Sequence, residues 1–231
     1  MRPLIAALTL AAASLAQAAT PTHLYLMNDA SDALGGPALT ALGGDFTTQG
    51  GHYSFGANQG FSLQDAINAN VYTLDFSVRL DTVDDYRRLV DFKNLASDTG
   101  LYNLNAQLNF YNRITSADAV FAAGKEARVT LTRDVDGMVT GYFNGVQQFQ
   151  FSDVDDLAVF SENRAVAHFF VDDNEIGGEA SAGAIDYLRI YDTALSSVEV
   201  AGLTSPVPEP ASGLLAAAGL GVFALARRRR D

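Results

Sequence analysis

Hydrophobic and polar residues alternate with a period of two through most of the chain. Leu74, Phe76, Val78 and Leu80 alternate with Asp75, Ser77 and Arg79, the pattern of a strand with one buried face. Leu104, Ala106, Leu108 and Phe110 alternate with Asn103, Asn105, Gln107 and Asn109 and predict a second strand. Val129 and Leu131 do the same with Arg128, Thr130 and Thr132. Val139–Phe143 and Val146–Phe151 flank Asn144-Gly145, which suits a type I′ hairpin turn because both of its residues must take positive φ. Ala184–Tyr191 reads as a further strand. No long helical period appears between Thr20 and Ser205. One short helix is marked near the end, where Ser196 and Glu199 form a capping box and Leu195 and Val200 a hydrophobic staple. Many short strands divided by Gly, Asn and Asp turns, without an internal repeat, predict an all-β sandwich or barrel.

The two ends break this pattern. Met1–Ala18 has Arg2, then an apolar run from Leu4 to Ala16, then Ala16-Gln17-Ala18, the layout of a secretory signal peptide and its cleavage site. At the other end, Val207-Pro208-Glu209-Pro210 precedes Ala211–Ala226, which carries no charge, and Arg227, Arg228, Arg229 and Arg230 follow. The uncharged run predicts a short transmembrane helix over 211–226 with a basic cytoplasmic tail over 227–231. Such a helix is about 24 Å long against a hydrocarbon core of ~30 Å, and snorkelling arginines make up part of the difference. Residues 19–203 are then the folded domain and 204–210 a linker. Pro208, Glu209 and Pro210, the short Gly/Ala-rich span and Arg227–Arg230 together resemble a PEP-CTERM sorting signal. That resemblance implies export in a Gram-negative bacterium, recognition of the motif by an exosortase, and only transient membrane anchoring before the tail is removed. An ordinary C-terminal anchor is the other reading.

Composition narrows the chemistry. The chain of 231 residues has no cysteine, which excludes a disulfide scaffold, thiolate metal sites and a cysteine nucleophile. Removing both ends leaves 10 of 15 basic and 25 of 27 acidic residues, so the net charge moves from −12 to −15. That balance argues against a nucleic-acid partner, which needs basic patches. It favours solubility outside the cell and attraction of cations.

Several stretches in order carry a second resemblance. They are Leu24–Asn28 leading to Asp32 and Gly35-Gly36, then His52–Phe55, the strand Tyr72–Leu80, and Arg128–Arg133 with its turn and Gly141–Gly145. Ile185-Asp186-Tyr187-Leu188-Arg189-Ile190-Tyr191-Asp192, followed by Ala194–Ser196 and Glu199-Val200, is the most specific. Together they resemble a laminin-G-like, concanavalin A-like jelly roll, which implies two antiparallel sheets packed face to face. Tryptophans common in the central strands of that family are missing, and Phe76 stands where one is expected.

No catalytic motif is evident: there is no Gly-x-Ser-x-Gly elbow, no His-Glu-x-x-His, no phosphate loop and no Glu-x-Asp-x-x-Glu glucanase run. The chain is therefore expected not to be an enzyme. Calcium is the cofactor to test. Asp186 shares parity with Leu188 and Ile190, so it is expected to point inward, where a carboxylate needs a cation or hydrogen-bond donors. The resemblance implies a calcium ion at the sandwich rim held by Asn28, Asp32 and Asp186. An arginine partner for Asp186 and an Asx-turn at Asp32 are the alternatives. Asp134-x-Asp136-Gly137 reads as a hairpin turn, and Asp172–Glu179 as a solvated acidic loop, or a second cation site or ligand rim. Tyr86, Tyr102, Tyr111 and Tyr142 are candidates for stacking on sugars. The expected task is non-catalytic binding of an extracellular glycan or protein. A purely structural role in a biofilm matrix is the alternative, and a glycan hydrolase the remaining one.

Overall fold

A computed structural model describes residues 19–47, 51–160 and 166–206. The predicted signal peptide, the PEP motif, the tail helix and Arg227–Arg230 lie outside the described residues. Among the described residues no helix is long and apolar enough to cross a membrane.

The strands in chain order are β1 His23–Tyr25, β2 Thr40–Ala41, β3 Asp45–Thr47, β4 His52–Phe55, β5 Phe61–Leu63, β6 Tyr72–Leu80, β7 Tyr86–Asp91 and β8 Gly100–Leu104. They continue with β9 Gln107–Tyr111, β10 Ile114–Thr115, β11 Glu126–Arg133, β12 Met138–Phe143, β13 Val146–Ser152, β14 Ala167–Phe169, β15 Gly183–Ile185 and β16 Leu188–Tyr191. Among the described residues one helix, α1, spans Ser197–Gly202. All pairings are antiparallel, in two sheets. The first runs β13-β12-β11-β6-β15-β4-β3, with β16 continuing β15 beside β6 and β1 beyond it. The second runs β10-β9-β8-β7-β14-β5-β2. This is the expected jelly-roll-like sandwich.

The period of two does what it predicts in β6. Leu74, Phe76, Val78 and Leu80 are buried between the sheets, and Asp75 and Ser77 face outward. Phe76 meets Phe169 and Phe170 edge-on, each at 6.1 Å, so aromatic packing fills the place of the missing tryptophan. Asn144 and Gly145 take φ of 49° and 82° between the paired Phe143 and Val146, as the hairpin reading requires. The Asp134 carboxylate accepts from the Asp136 and Met138 N–H groups, so the Asp134–Gly137 segment is a hairpin turn. Ser196 and Glu199 form the capping box, and Leu195 and Val200 pack with Tyr142 and Tyr191 on the outer face of the first sheet.

Two expectations are corrected. The alternation over Asn103–Phe110 is not one strand. Asn105 and Ala106 take φ of 49° and 69° and turn β8 into β9, closing on the pair Leu104 and Gln107. Alanine seldom occupies such a turn, so the pattern runs through it unmarked. The second correction concerns Asp186. Ala184 pairs with Arg79 but Leu188 pairs with Phe76, so four residues oppose three. This bulge shifts the parity. Ile185 and Leu188 both enter the core, and Asp186 turns out of it, its N–H donating to the Ser77 hydroxyl at 3.0 Å.

Phe76→Ala is expected to cost about 3–5 kcal/mol, because the cavity lies among aromatic rings that cannot collapse into it. Val198→Ala on the exposed side of α1 should stay within about 0.5 kcal/mol. Urea denaturation of both variants checks the contrast.

Candidate functional site

The three residues expected to hold calcium are not joined. Asn28 is exposed. Asp32 is buried with both carboxylate oxygens committed. Oδ1 accepts from the Leu24 and Leu34 N–H groups, each at 2.9 Å. Oδ2 accepts from the Gly36 N–H at 2.9 Å and meets His23 Nδ1 at 2.7 Å. Burial opposes ionisation, but these hydrogen bonds outweigh it and hold the Asp32 carboxyl below its ordinary range. Four partners fill the four lone-pair directions of a carboxylate, so a cation would have to displace them. Asp32 thus anchors its own loop, as in the Asx-turn alternative. Asp186 faces Glu126 rather than Asp32. Partial burial and the neighbouring Asp186 carboxylate raise the Glu126 carboxyl above its ordinary range. This donor arrangement does not fit a calcium shell.

A different cluster forms on the outer face of the second sheet. Its centre is Arg88 of β7, whose side chain is fully buried. Nη1 reaches Asp91 Oδ2 at 3.1 Å, and Nη2 donates to Asp173 Oδ2 and the Tyr102 hydroxyl. Asp98 Oδ1 lies 3.6 Å from Nη2. The guanidinium also stacks over the Tyr102 ring, 4.6 Å from its centre. Asp98 belongs to the β7–β8 loop, and Asp173 and Glu179 to the long β14–β15 loop. The carboxylate oxygens of Asp98, Asp173 and Glu179 converge within 4.8 Å of one another. That spacing would suit a cation, but the Arg88 guanidinium already supplies positive charge there.

The β14–β15 loop is tied down rather than loosely solvated. Asp172 Oδ2 accepts from the Gly178 and Glu179 N–H groups at 2.8 and 2.9 Å. Asp173 Oδ1 accepts from Glu175 and Ile176. The Arg88 N–H donates to the Glu179 carbonyl at 2.7 Å, which docks the loop on β7. The Glu179 carboxyl, by contrast, has a buried Oε2 without a hydrogen-bond partner among the described residues. Burial, followed by repulsion from Asp98, raises its pKa to about 7.

Tyr86, Tyr102 and Tyr111 stand beside this cluster in mutual edge-to-face contact. Their ring centres are 5.5 Å apart for Tyr86–Tyr102, 5.7 Å for Tyr86–Tyr111 and 6.3 Å for Tyr102–Tyr111. Tyr102 is buried, with burial raising its pKa, while Tyr86 and Tyr111 remain partly exposed. Three of the four tyrosines singled out in the sequence thus converge. Tyr142 lies on the opposite side of the sandwich, packed under α1.

Residues 55–201 match the model of the concanavalin A-like lectin/glucanases superfamily. The chain belongs to this superfamily. Residues 206–230 match the PEP-CTERM protein-sorting motif, which implies export and exosortase sorting to the envelope or outer surface. No curated protein matches the sequence. Among solved structures, domain 4 of the extracellular GH43 arabinanase of Geobacillus stearothermophilus, in complex with arabinotriose, is similar at 19% identity and a TM-score of 0.60. That likeness covers 82% of this chain and 100% of that one. The sialidase of Trypanosoma rangeli in complex with sialic acid gives 15% identity and a TM-score of 0.57, over 77% of this chain and 31% of that one. The binding domain of botulinum neurotoxin serotype D gives 14% and 0.53, over 78% and 50%. The chain thus spans a third to a half of the length of these last two. At such identities the likeness is one of fold. Within the concanavalin A-like architecture, the Arg88 cluster brings polar groups and partly exposed aromatic faces together on the second sheet.

Sequence reasoning singled out the Asp172–Glu179 loop and the tyrosines, but missed Arg88. The register between β7 and β8 shifts at Arg88–Val90, so no alternation shows which way Arg88 points.

Glu179 gives the site a pH dependence with a definite sign. Its folded pKa lies above the ordinary 4.5. Between those values the folded state holds a proton that the unfolded chain has lost, so stability falls as pH rises through about 7. Glu179→Gln should be flatter than the parent from pH 5 to 8 in urea denaturation, and an identical pH profile for the two proteins would refute the assignment.

Proposed function

We propose that this exported protein uses the outer face of its second sheet to bind an extracellular glycan or protein ligand without catalysis. The observation that carries the reading is the Tyr86–Tyr102–Tyr111 array on a fixed, charged base. Tyr86 and Tyr111 offer partly exposed ring surface, and sugar rings present apolar C–H faces to such surfaces. Asp98 and Glu179 at the margin accept hydrogen bonds from hydroxyl groups. Burial of Tyr102 and Arg88 holds the platform in place, which lowers the entropy lost on binding. The arabinotriose complex of the similar arabinanase domain supports a glycan over a protein.

One observation favours a hydrolase instead, since converging carboxylates with one raised pKa are what glycosidases use. Against it, Asp173 is fully buried and has both oxygens committed to Arg88 and to its own loop. Asp98 and Glu179 also lie together beside the Arg88 guanidinium rather than across an open cleft.

A glycan array probed with residues 19–206, with calcium and then with chelator, tests the proposal. Binding to a defined polysaccharide is expected in both conditions, because the Arg88 guanidinium already supplies the positive charge among these carboxylates. Tyr86→Ala and Tyr111→Ala should each weaken binding by about tenfold, as loss of one stacking face costs roughly 1–1.5 kcal/mol. Binding only with calcium would overturn the charge argument. Shortening of the bound oligosaccharide would establish the hydrolase. No binding at all would leave a structural matrix role.

A further inference from the structure

The end of the domain is clamped to the outer face of the first sheet. Arg128 donates from Nη2 to the Val200 carbonyl at 3.0 Å and from Nη1 to the Leu203 carbonyl. Arg189 donates from Nη1 to the Thr204 carbonyl at 2.8 Å. Both guanidinium groups lean on Asp75, whose side chain is fully buried. Arg189 Nε and Nη2 bind its Oδ2 at 3.0 and 2.6 Å, and Arg128 Nε lies 3.8 Å from Oδ1. Thr130 donates to the same Oδ1 at 2.7 Å. Ala19, the first residue after the predicted cleavage site, packs against the same cluster as Leu203.

The sorting motif follows at once. Six residues, 205–210, separate clamped Thr204 from the uncharged run that begins at Ala211. Whatever their path, they span at most about 21 Å. With the tail helix in the bilayer, as the sequence predicts, Thr204 stays within about that distance of the membrane while the tail is in place. The surface around the exit is built from α1 and the β12–β13 turn, which adjoin: a Cβ on Gly145 would lie 3.3 Å from Ala201 Cα. Val146 and Val198, on these two elements, are 63% and 75% exposed. Polar grooves of about 310 and 340 Å³ open at the two ends of α1. The first is lined by Glu126, Arg128, Asn144 and Ser205, and the second by Gln147, Gln150, Ser196 and Glu199.

We propose that this face, formed by α1 and the β12–β13 turn, docks on the exosortase that processes the sorting signal, with the Asp75 clamp setting the distance. The proposal rests on the sorting motif and not on the glycan reading. Exposed valines beside grooved polar surface suit a protein, and the strongly acidic charge disfavours an anionic lipid surface.

The test uses the full-length precursor in its exporting host. A photo-crosslinking residue is placed at Val146 or Val198, and as a control at exposed Asn112 beyond β9. Adducts with the processing protein are expected from 146 and 198 and not from 112. Val146→Asp with Val198→Asp should slow removal of the tail several-fold, read by the mass of the C-terminal peptide, with an unchanged melting curve. Adducts with lipid only, equal adducts from 112, or unchanged processing of the double variant would overturn the proposal. If the double variant melts early, the cross-linking pattern still decides.

Discussion

Asp75 is the interaction on which the first sheet depends. A carboxylate without water must be matched by charge and hydrogen bonds, or it costs several kcal/mol. Here the match comes from three places in the sequence: Arg189 on β16, Thr130 on β11 and Arg128 beside it. β6, which carries Asp75, lies between β11 and β16 in the sheet. The same two arginines then hold the carbonyls of residues 200, 203 and 204. One buried charge thus fixes the order of three strands and the exit of the chain. Such a network contributes specificity more securely than net stability, because removing one partner strands the others in a poorly solvated site.

The second sheet repeats the device with a different outcome. Arg88 is as buried as Asp75, but apart from Asp91 on its own strand its carboxylate partners come from loops rather than from neighbouring strands. Asp98 and Asp173 therefore bring two loops together over β7, and Glu179 follows with its carboxyl incompletely partnered. A strand-borne pair produces a closed, structural network. A loop-borne pair leaves one group unmatched at the rim, where its proton affinity is raised. This difference separates the clamp from the candidate binding face, although both are arginine–aspartate clusters.

How much was legible follows from where the period of two holds. β6 and β11 keep strict alternation, and their buried faces were readable residue by residue; the β12–β13 turn was readable from Asn144-Gly145, although the pairing beyond it shifts register at Gly141–Tyr142. So was α1, because its cap and staple are local. The misreadings sit at breaks of the period. A bulge between β15 and β16 turned Asp186 out of the core, a register shift in β7 concealed Arg88, and a turn containing Ala106 hid inside an apparent strand. Asp32 failed differently. Its loop was recognised, but its four partners are three backbone N–H groups and one histidine, and backbone donors leave no trace in a sequence.

The two faces also impose a geometry on the exported protein. The chain leaves from the outer side of the first sheet, and the tyrosine array lies on the outer side of the second. The hydrophobic core stands between them, so the proposed ligand face and the proposed docking face do not overlap. Antiparallel sandwiches allow this because each sheet buries only one face and leaves the other free for polar chemistry. The aromatic residues divide accordingly. Phe76, Phe169 and Phe170 fill the interior, Tyr142 and Tyr191 seat α1 on one outer face, and Tyr86 and Tyr111 stay partly open on the other. A tyrosine tolerates either outer environment because its ring packs while its hydroxyl keeps a polar partner. The acidic charge of the domain is consistent with the same division. Buried aspartates are met by arginine in three places, at Asp75, around Arg88 and at Arg133–Asp153, while most of the remaining acidic charge lies at the surface.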